Sequence, residues 1–371
     1  MLSRLENLID KIANPEIIDE AYQYICTARR NTSHTNSVWW LRANWPTVKI
    51  ELINKLRNNE YHFAPLARHK VKGELINCWE AENTIVLKAI TIVLSKVLGV
   101  DVLPSCKHLK SNGGLKKTVR EVQEKLKKYK FVFKSDVKSY YGSIDHEILL
   151  EQLAAKVTDR IVLRLLKEYC NRLVWVDGEY HTITQGISVG CSLSPLMAAY
   201  YLQTLDQALQ DKNIYYVRYM DDFLVLARTR NHLRKAVRIT NQVLSGLKLK
   251  KHPDKTYIGW IHKGFNFLGY RLNLTEIQLS TKTKQRFIVK ISQFCEQGAS
   301  KTCIGKYWRC WFRWALGGMN EQTKRYLFER DSFIDSARRM INNFIQLENT
   351  NENHNKVYFT DMLACLELRC G

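Results

Sequence analysis

Three carboxylates carry the clearest chemical signal in the sequence. Tyr219, Met220, Asp221 and Asp222 lie between the apolar runs IYYV and FLVLA, which puts two adjacent aspartates at the apex of an otherwise apolar hairpin. Like charges so close repel one another, and something must offset the repulsion. A bound divalent cation would do so. Mg²⁺ takes oxygen ligands from one or two carboxylates together with substrate phosphates, so a single Asp pair is an incomplete site. Asp136, at the end of the short apolar strand FVFKS, completes it if the two strand ends lie side by side in one sheet. Two Mg²⁺ ions, or Mn²⁺ in their place, held roughly 3.5–4 Å apart would lower the pKa of an attacking hydroxyl and stabilise departing pyrophosphate during in-line displacement. An Asp-Asp turn alone is a weak signal, because Asp is a common turn residue.

The elements that must position these groups are legible in the hydrophobic periodicity. Residues 1–60 repeat Leu and Ile at helical spacing, as in Leu2, Leu5, Leu8, Ile9 and Ile12, and form an N-terminal helical extension. Trp39, Trp40 and Trp45, beside Leu41, are expected in the core in preference to stacking on bases. The run 83–98 predicts a buried helix, and 111–130 a Gly-rich loop opening a basic amphipathic helix. Lys107, Lys110, Lys116 and Lys117 in this region suit phosphate and solvent equally well. Beyond FVFKS come a helix capped by Ser143 or Asp145, a second helix over 158–174 and a hairpin-like VWVDGEYHTI. A Gly/Ser loop then leads into SPLMAAYYLQTLDQAL. IYYVRYMDDFLVLAR reads as two strands around a tight turn, and HLRKAVRITNQVLSGLKLK as a basic amphipathic helix. From about 275 onward helical patterns resume. There Tyr307, Trp308, Trp311, Phe312 and Trp314 should pack inward and leave Arg309 and Arg313 to meet phosphate.

Composition narrows the partner. The 371 residues exceed the size at which a single core stops growing, and the 57 Lys and Arg against 36 Asp and Glu give a net charge of +21. Such an excess is the electrostatic footprint of a polyanion partner. No run of eighteen apolar residues and no signal-peptide core occurs, so a cytoplasmic protein without membrane contact is expected. Ten cysteines are scattered without a CxxC pair, which predicts reduced thiols and no zinc ribbon.

DVKSYYGSIDH, GISVGCSLSP, YMDD, KKHPDKT and GFNFLGY occur in the order and approximate spacing of the palm motifs of reverse transcriptases. The chain resembles the bacterial group II intron-like branch, which includes retron, diversity-generating and defence-associated enzymes. That resemblance implies an α+β right-hand polymerase: an N-terminal extension (1–60), fingers (61–130), an antiparallel-sheet palm (131–274) with inserted fingers helices (about 147–185), a helical thumb (275–350) and a tail (351–371). It makes Asp136 and Asp221 the ligands of two metal ions, Asp222 their supporting carboxylate and the carbonyl of Val137 a further metal contact. Tyr141 falls at the steric gate, where a ring fills the space of a ribose 2′-hydroxyl. Gly190, Ser194 and Pro195 resemble the loop and helix start that shape the nascent base pair, which implies nucleotide contacts from Val189, Gly190 and Ser194 as well as Tyr141. Lys255 resembles the lysine that protonates pyrophosphate. Gly264, Phe265, Phe267 and Gly269 fall in the primer grip, though the phenylalanines would serve equally as core.

Two motifs depart from the family's pattern. Val189 stands where group II-like enzymes commonly carry Gln, which implies lower copying fidelity. The fingers segment reads GELINCWEAEN where many relatives have a basic clamp, and Arg68, Lys70 and Lys72 are the candidates to substitute for it at the triphosphate. No endonuclease, protease or RNase H-like segment follows the expected thumb. The implied activity is RNA-directed DNA polymerisation from dNTPs on a dedicated structured noncoding RNA, through an RNA–DNA duplex, in antiphage defence. The alternatives are a diversity-generating or retron-type enzyme, an RNA-templated RNA polymerase and a catalytically idle RNA-binding scaffold. Oligomeric state is not legible in the sequence.

Overall fold

The computed structural model describes residues 7–319 except 72, 73, 100, 101, 110, 111 and 177, and beyond them 321, 323–325, 333, 334 and 339. For 67–71, 74–76 and 301 it describes the backbone alone. The expected tail therefore lies outside the described residues.

Helices come first in the chain. α1 (Leu8–Ile12), α2 (Pro15–Ala28) and α3 (Ser37–Ala43) pack against α5 (Ala81–Leu98), and α4 (Trp45–Arg57) packs on α1, α2 and α3. Asn14 starts α2, its side chain accepting the Glu16 N–H at 2.8 Å with Pro15 in the first turn. In α3 only Val38 and Leu41 face inward, so Trp39 and Trp40 fall on the exposed side, contrary to their expected burial. Trp45 instead stacks on Tyr22 with ring centroids 4.0 Å apart. Before α5, β1 (Ala67–Val71) and β2 (Glu74–Cys78) form a hairpin. α5 is apolar nearly all round and buried along most of its length, which a helix needs when neighbours cover every face.

α6 (Gly114–Leu126) leads into β3 (Phe131–Ser135), the strand that ends at Asp136. Next come α7 (Tyr140–Ser143), α8 (His146–Ala154), capped by Asp145 accepting the Ile148 N–H at 3.1 Å, and α9 (Arg160–Cys170). α9 ends earlier than its apolar run suggests, because Leu173 onward is taken into the hairpin of β4 (Leu173–Val176) and β5 (Glu179–Thr182). α10 (Ser194–Tyr201) and α11 (Gln203–Ala208) precede β6 (Ile214–Tyr219), β7 (Asp222–Ala227) and α12 (Arg230–Gly246). β8 (Tyr257–Trp260) is followed by a three-stranded meander of β9 (Phe265–Phe267), β10 (Tyr270–Leu272) and β11 (Ile277–Leu279). α13 (Thr281–Glu296) and α14 (Lys301–Leu316) follow.

The central sheet is antiparallel, in the order β6-β7-β3-β8. Both faces are covered, which explains why FVF and FLVLA are continuous apolar runs and not alternating ones. Phe131, Phe133, Phe223, Val225 and Ala227 join the core built with α12 and the N-terminal helices. Val132, Val217, Leu224 and Leu226 join a second core with α6, the β9–β11 meander, α13 and α14. Among the described residues, no helix is long and apolar enough to cross a membrane, and the described cysteines are free.

Candidate active site

Register brings the carboxylates together. Ser135 pairs with Phe223 across β3 and β7, so the next residues outward, Asp136 and Asp222, are neighbours at the same end of the sheet. Tyr219 pairs with Asp222 across β6 and β7, which leaves Met220 and Asp221 as the turn. Burial raises the pKa of Asp221, and the charge of Asp136 adds to it. Asp222 rises further, to about 6, first through burial and then through Asp136 and Asp221, while Lys134 and Lys255 oppose the shift.

Asp136 is itself nearly enclosed. Its Oδ2 accepts from Lys255 Nζ at 2.7 Å, and its carbonyl accepts from the His252 N–H at 2.7 Å. The hydrogen bond to Asp136 raises the pKa of Lys255, so the ammonium serves as counter-cation. Val137 forms an isolated antiparallel bridge with Lys251, flanked by the His252 bond and by Lys138 N–H to the Lys250 carbonyl, which leaves its own carbonyl unused by that bridge. Among the described residues, no three His, Cys, Asp or Glu side chains are gathered closely enough to hold a metal ion by themselves. The donor set still suits a hard divalent ion: the carboxylates of Asp221 and Asp222, whose pKa burial and neighbouring charge raise, are relieved by added positive charge.

Tyr141 stands beside this cluster. Burial, then the charges of Asp221 and Cys191, raise the pKa of its phenol. Its carbonyl accepts from the Ile187 N–H at 2.8 Å, which locks α7 to the loop before α10. Gly186 makes the lock possible. It has φ +83°, and a Cβ there would lie 2.8 Å from Gly142 Cα and 2.9 Å from the carbonyl oxygens of Gly142 and Tyr141. The loop tip is Val189, 78 % exposed, with Gly190 at φ +79°. Ser194 corrects an expectation. Its side chain is fully buried, bonded to Tyr169 Oη at 2.7 Å and to the Ser188 carbonyl, so its hydroxyl shapes the loop and cannot itself touch a nucleotide.

Other expected contacts are dispersed. Phe265 and Phe267 are core residues, while Gly264 and Gly269 have φ +70° and +86°. Gly264, Phe265, Asn266 and Arg271 line a cavity of about 280 Å³ with Lys134, Lys255 and Tyr257, which sets the meander beside Lys255, the partner of Asp136. Lys107 is also corrected as a free phosphate contact: its ammonium pairs with Glu121 at 3.0 Å and is only 13 % exposed. Lys116 Nζ donates to the Arg313 carbonyl at 3.0 Å, away from the aspartates. Arg309 and Arg313 are exposed over buried Trp308 and Phe312. Lys72, Lys110 and the side chains of Lys70 and Arg68 lie outside the described residues.

Four residues outside the motifs, His108, Arg218, Asp206 and Lys134, surround the turn at Met220 and Asp221. Met220 takes φ 57°, a left-handed conformation that costs a non-glycine residue roughly 1–2 kcal/mol. Its N–H donates to His108 Nδ1 at 3.1 Å, and its carbonyl accepts from Arg218 Nη1 at 2.9 Å. With Nδ1 accepting, His108 carries its proton on Nε2 and donates to the Pro195 carbonyl at 3.2 Å. Burial depresses its pKa to about 4. Arg218 and Asp206 form a fully buried pair that also takes in Tyr216 Oη and the Ala199 carbonyl. Lys134, on β3, feels the carboxylates without pairing with them; burial lowers its pKa against the pull of Asp222 and Asp136. Arg218 and Lys134 were visible as charges inside apolar strands. His108 and Asp206 left no such mark.

The profile of a family described as "Reverse transcriptase (RNA-dependent DNA polymerase)" matches residues 81–272, just over half of the chain. Protein YkfC of Escherichia coli is 21% identical over 72% of this chain and 83% of its own length. The COX1/OXI3 intron 1 protein of Saccharomyces cerevisiae is 19% identical over 75% of this chain. A 91 kDa protein in a cob intron of Schizosaccharomyces pombe is 21% identical over 43%. The matches span only 41% and 21% of those two intron proteins.

Proposed function

Because the chain belongs to the reverse transcriptase family and is an RNA-directed DNA polymerase, we propose that it copies a structured noncoding RNA into DNA at Asp136, Asp221 and Asp222. The family implies the right-hand polymerase fold. We assign the palm to the central sheet, the fingers to β1, β2, α5 and the inserted α8 and α9, and the thumb to α13 and α14. The intron proteins among its relatives support the group II-like branch.

The observation that carries the site is the register that makes Asp136 and Asp222 cross-strand neighbours beside the Asp221 turn. Two divalent ions, Mg²⁺ or Mn²⁺, would be held by these carboxylates and by the Val137 carbonyl, and would supply activation of the primer hydroxyl and charge neutralisation at the phosphates. Lys255 Nζ keeps a proton beside Asp136, which supports its reading as the group that would protonate departing pyrophosphate. Tyr141 fills the space where a ribose 2′-hydroxyl would sit. Val189 presents an apolar side chain at the loop tip. Members of this branch work in antiphage defence, and that role is proposed here.

Nucleic acid co-purified with the wild-type protein and with Asp221→Ala/Asp222→Ala, expressed from the native locus, is the direct test. A discrete RNA in both samples with complementary DNA in the wild type alone is expected. Complementary DNA in both would remove the aspartates from catalysis. Tyr141→Ala should weaken discrimination against ribonucleotides by roughly 10- to 100-fold, the scale on which one filled space selects. Unchanged selectivity in single-nucleotide insertion would remove Tyr141 from the gate.

A further inference from the structure

Three connections distant in sequence converge at the end of the central sheet opposite the carboxylates. There Phe131 pairs with Ala227 on one side and Trp260 on the other. Lys130 N–H to the Ala227 carbonyl (3.1 Å) and Ile261 N–H to the Lys130 carbonyl (3.0 Å) draw the turns together. They present six exposed cations: Lys127, Lys128 and Lys130 before β3, Arg228 and Arg230 at the start of α12, and Lys263 after β8. Segments 125–135, 223–253 and 255–275 contain no Asp or Glu. None of the six cations forms an ion pair among the described residues. The Arg228 guanidinium lies 5.9 Å from the Tyr129 ring centroid and that of Arg230 5.5 Å from the Trp260 centroid, so both are held in place over aromatic rings.

This cluster is separate from the polymerisation site. The six residues of β7, at about 3.4 Å each, set it about 20 Å from Asp222. Exposed Arg234 and Arg238 follow Arg230 at four-residue steps and extend the charge along one stripe of α12. α12 covers the sheet face opposite the β9–β11 meander, α13 and α14. The turns expose no large apolar side chain that could enter a bilayer.

We propose that this end of the sheet is a second nucleic-acid surface, gripping the phosphate backbone of a double-helical part of the RNA whose single-stranded part is copied at the carboxylates. The inference rests on the proposed RNA template. A helical RNA partner offers closely spaced phosphates that fixed guanidiniums and unpaired ammoniums can neutralise without reading bases.

The full chain would be titrated with a blunt-ended RNA hairpin, which offers no primed template, across a salt series. Wild type would be compared with Lys128→Glu/Arg228→Glu/Arg230→Glu and with the neutral Lys128→Gln/Arg228→Gln/Arg230→Gln, after melting curves establish that all three fold. Both variants should lose about 2–3 units from the slope of log affinity against log salt. Extension of a short primed RNA oligonucleotide should stay at the wild-type rate. Unchanged hairpin affinity and slope would overturn the proposal. So would a parallel loss of short-primer extension, which would put these cations in the cleft, or charge-dependent binding to phosphatidylserine vesicles or acidic peptide without an effect on RNA. If wild type extends no primer, the polymerase reading fails, while the hairpin comparison still decides the surface.

Discussion

At the scale of residues, the site divides into groups proposed to do chemistry and groups that hold them. The first set was legible because acidic side chains inside apolar runs have few purposes. The second was not, because nothing about a histidine between lysines tells that its ring joins Met220 to Pro195. His108 provides a test with a definite sign. Its folded pKa of about 4 lies below the ordinary value, so the unfolded chain takes up a proton below about pH 6.5 that the native state refuses. The native state therefore loses stability as pH falls from about 6.5 to 4, by about 3 kcal/mol, of which about 2 kcal/mol falls between pH 7 and pH 5. His108→Asn, whose side-chain oxygen can still accept from Met220 N–H, should lose that part of the pH dependence and keep more polymerase activity than His108→Leu. Denaturant melts of the three proteins at pH 7 and pH 5 would check it. An equal loss of stability in wild type and both variants between those pH values would mean that other groups titrate.

At the scale of elements, most helices and strands follow from periodicity, but their ends and partners do not. The apolar run over 158–174 continues past Cys170, yet the helix stops there because Leu173–Val176 pairs with Glu179–Thr182. Local preference yields to a strand partner that only the fold supplies. Gly186 is similar: the sequence marks a flexible loop, and the structure makes it a point where two backbones touch. Gly186→Ala combines φ +83° with a Cβ inside contact distance of Gly142 and Tyr141. It should cost about 2 kcal/mol or more and shift Tyr141 relative to Asp221. Lower melting temperature together with reduced nucleotide selectivity is expected. Gly190→Ala, at φ +79° with nothing within 4 Å, supplies the comparison with backbone strain alone. Equal effects of the two substitutions would mean that the close approach at Gly186 is unimportant.

At the scale of the molecule, one thin sheet is shared by two cores. Phe133 and Val225 belong to one, and Val132, Leu224 and Leu226 to the other, so adjacent residues of a strand report to opposite halves of the protein. The unbroken apolarity of FLVLA announces burial on both faces. It does not say which helices supply each cover, because any apolar stripe would satisfy either face. Phe287 tests whether the halves are mechanically joined. It is fully buried among Tyr307, Trp308, Trp311, Phe312 and Phe333, far in sequence from the aspartates. Phe287→Ala should remove about 3–5 kcal/mol from that core. If the core is continuous through the sheet, hydrogen exchange should quicken at β7 amides as well as in α13 and α14, in one cooperative transition. Faster exchange confined to α13 and α14 would instead identify them as a unit that opens alone. The carboxylates would then be held by the α12 side of the sheet, and the helices beyond Thr281 could move on substrate without disturbing Asp136, Asp221 and Asp222.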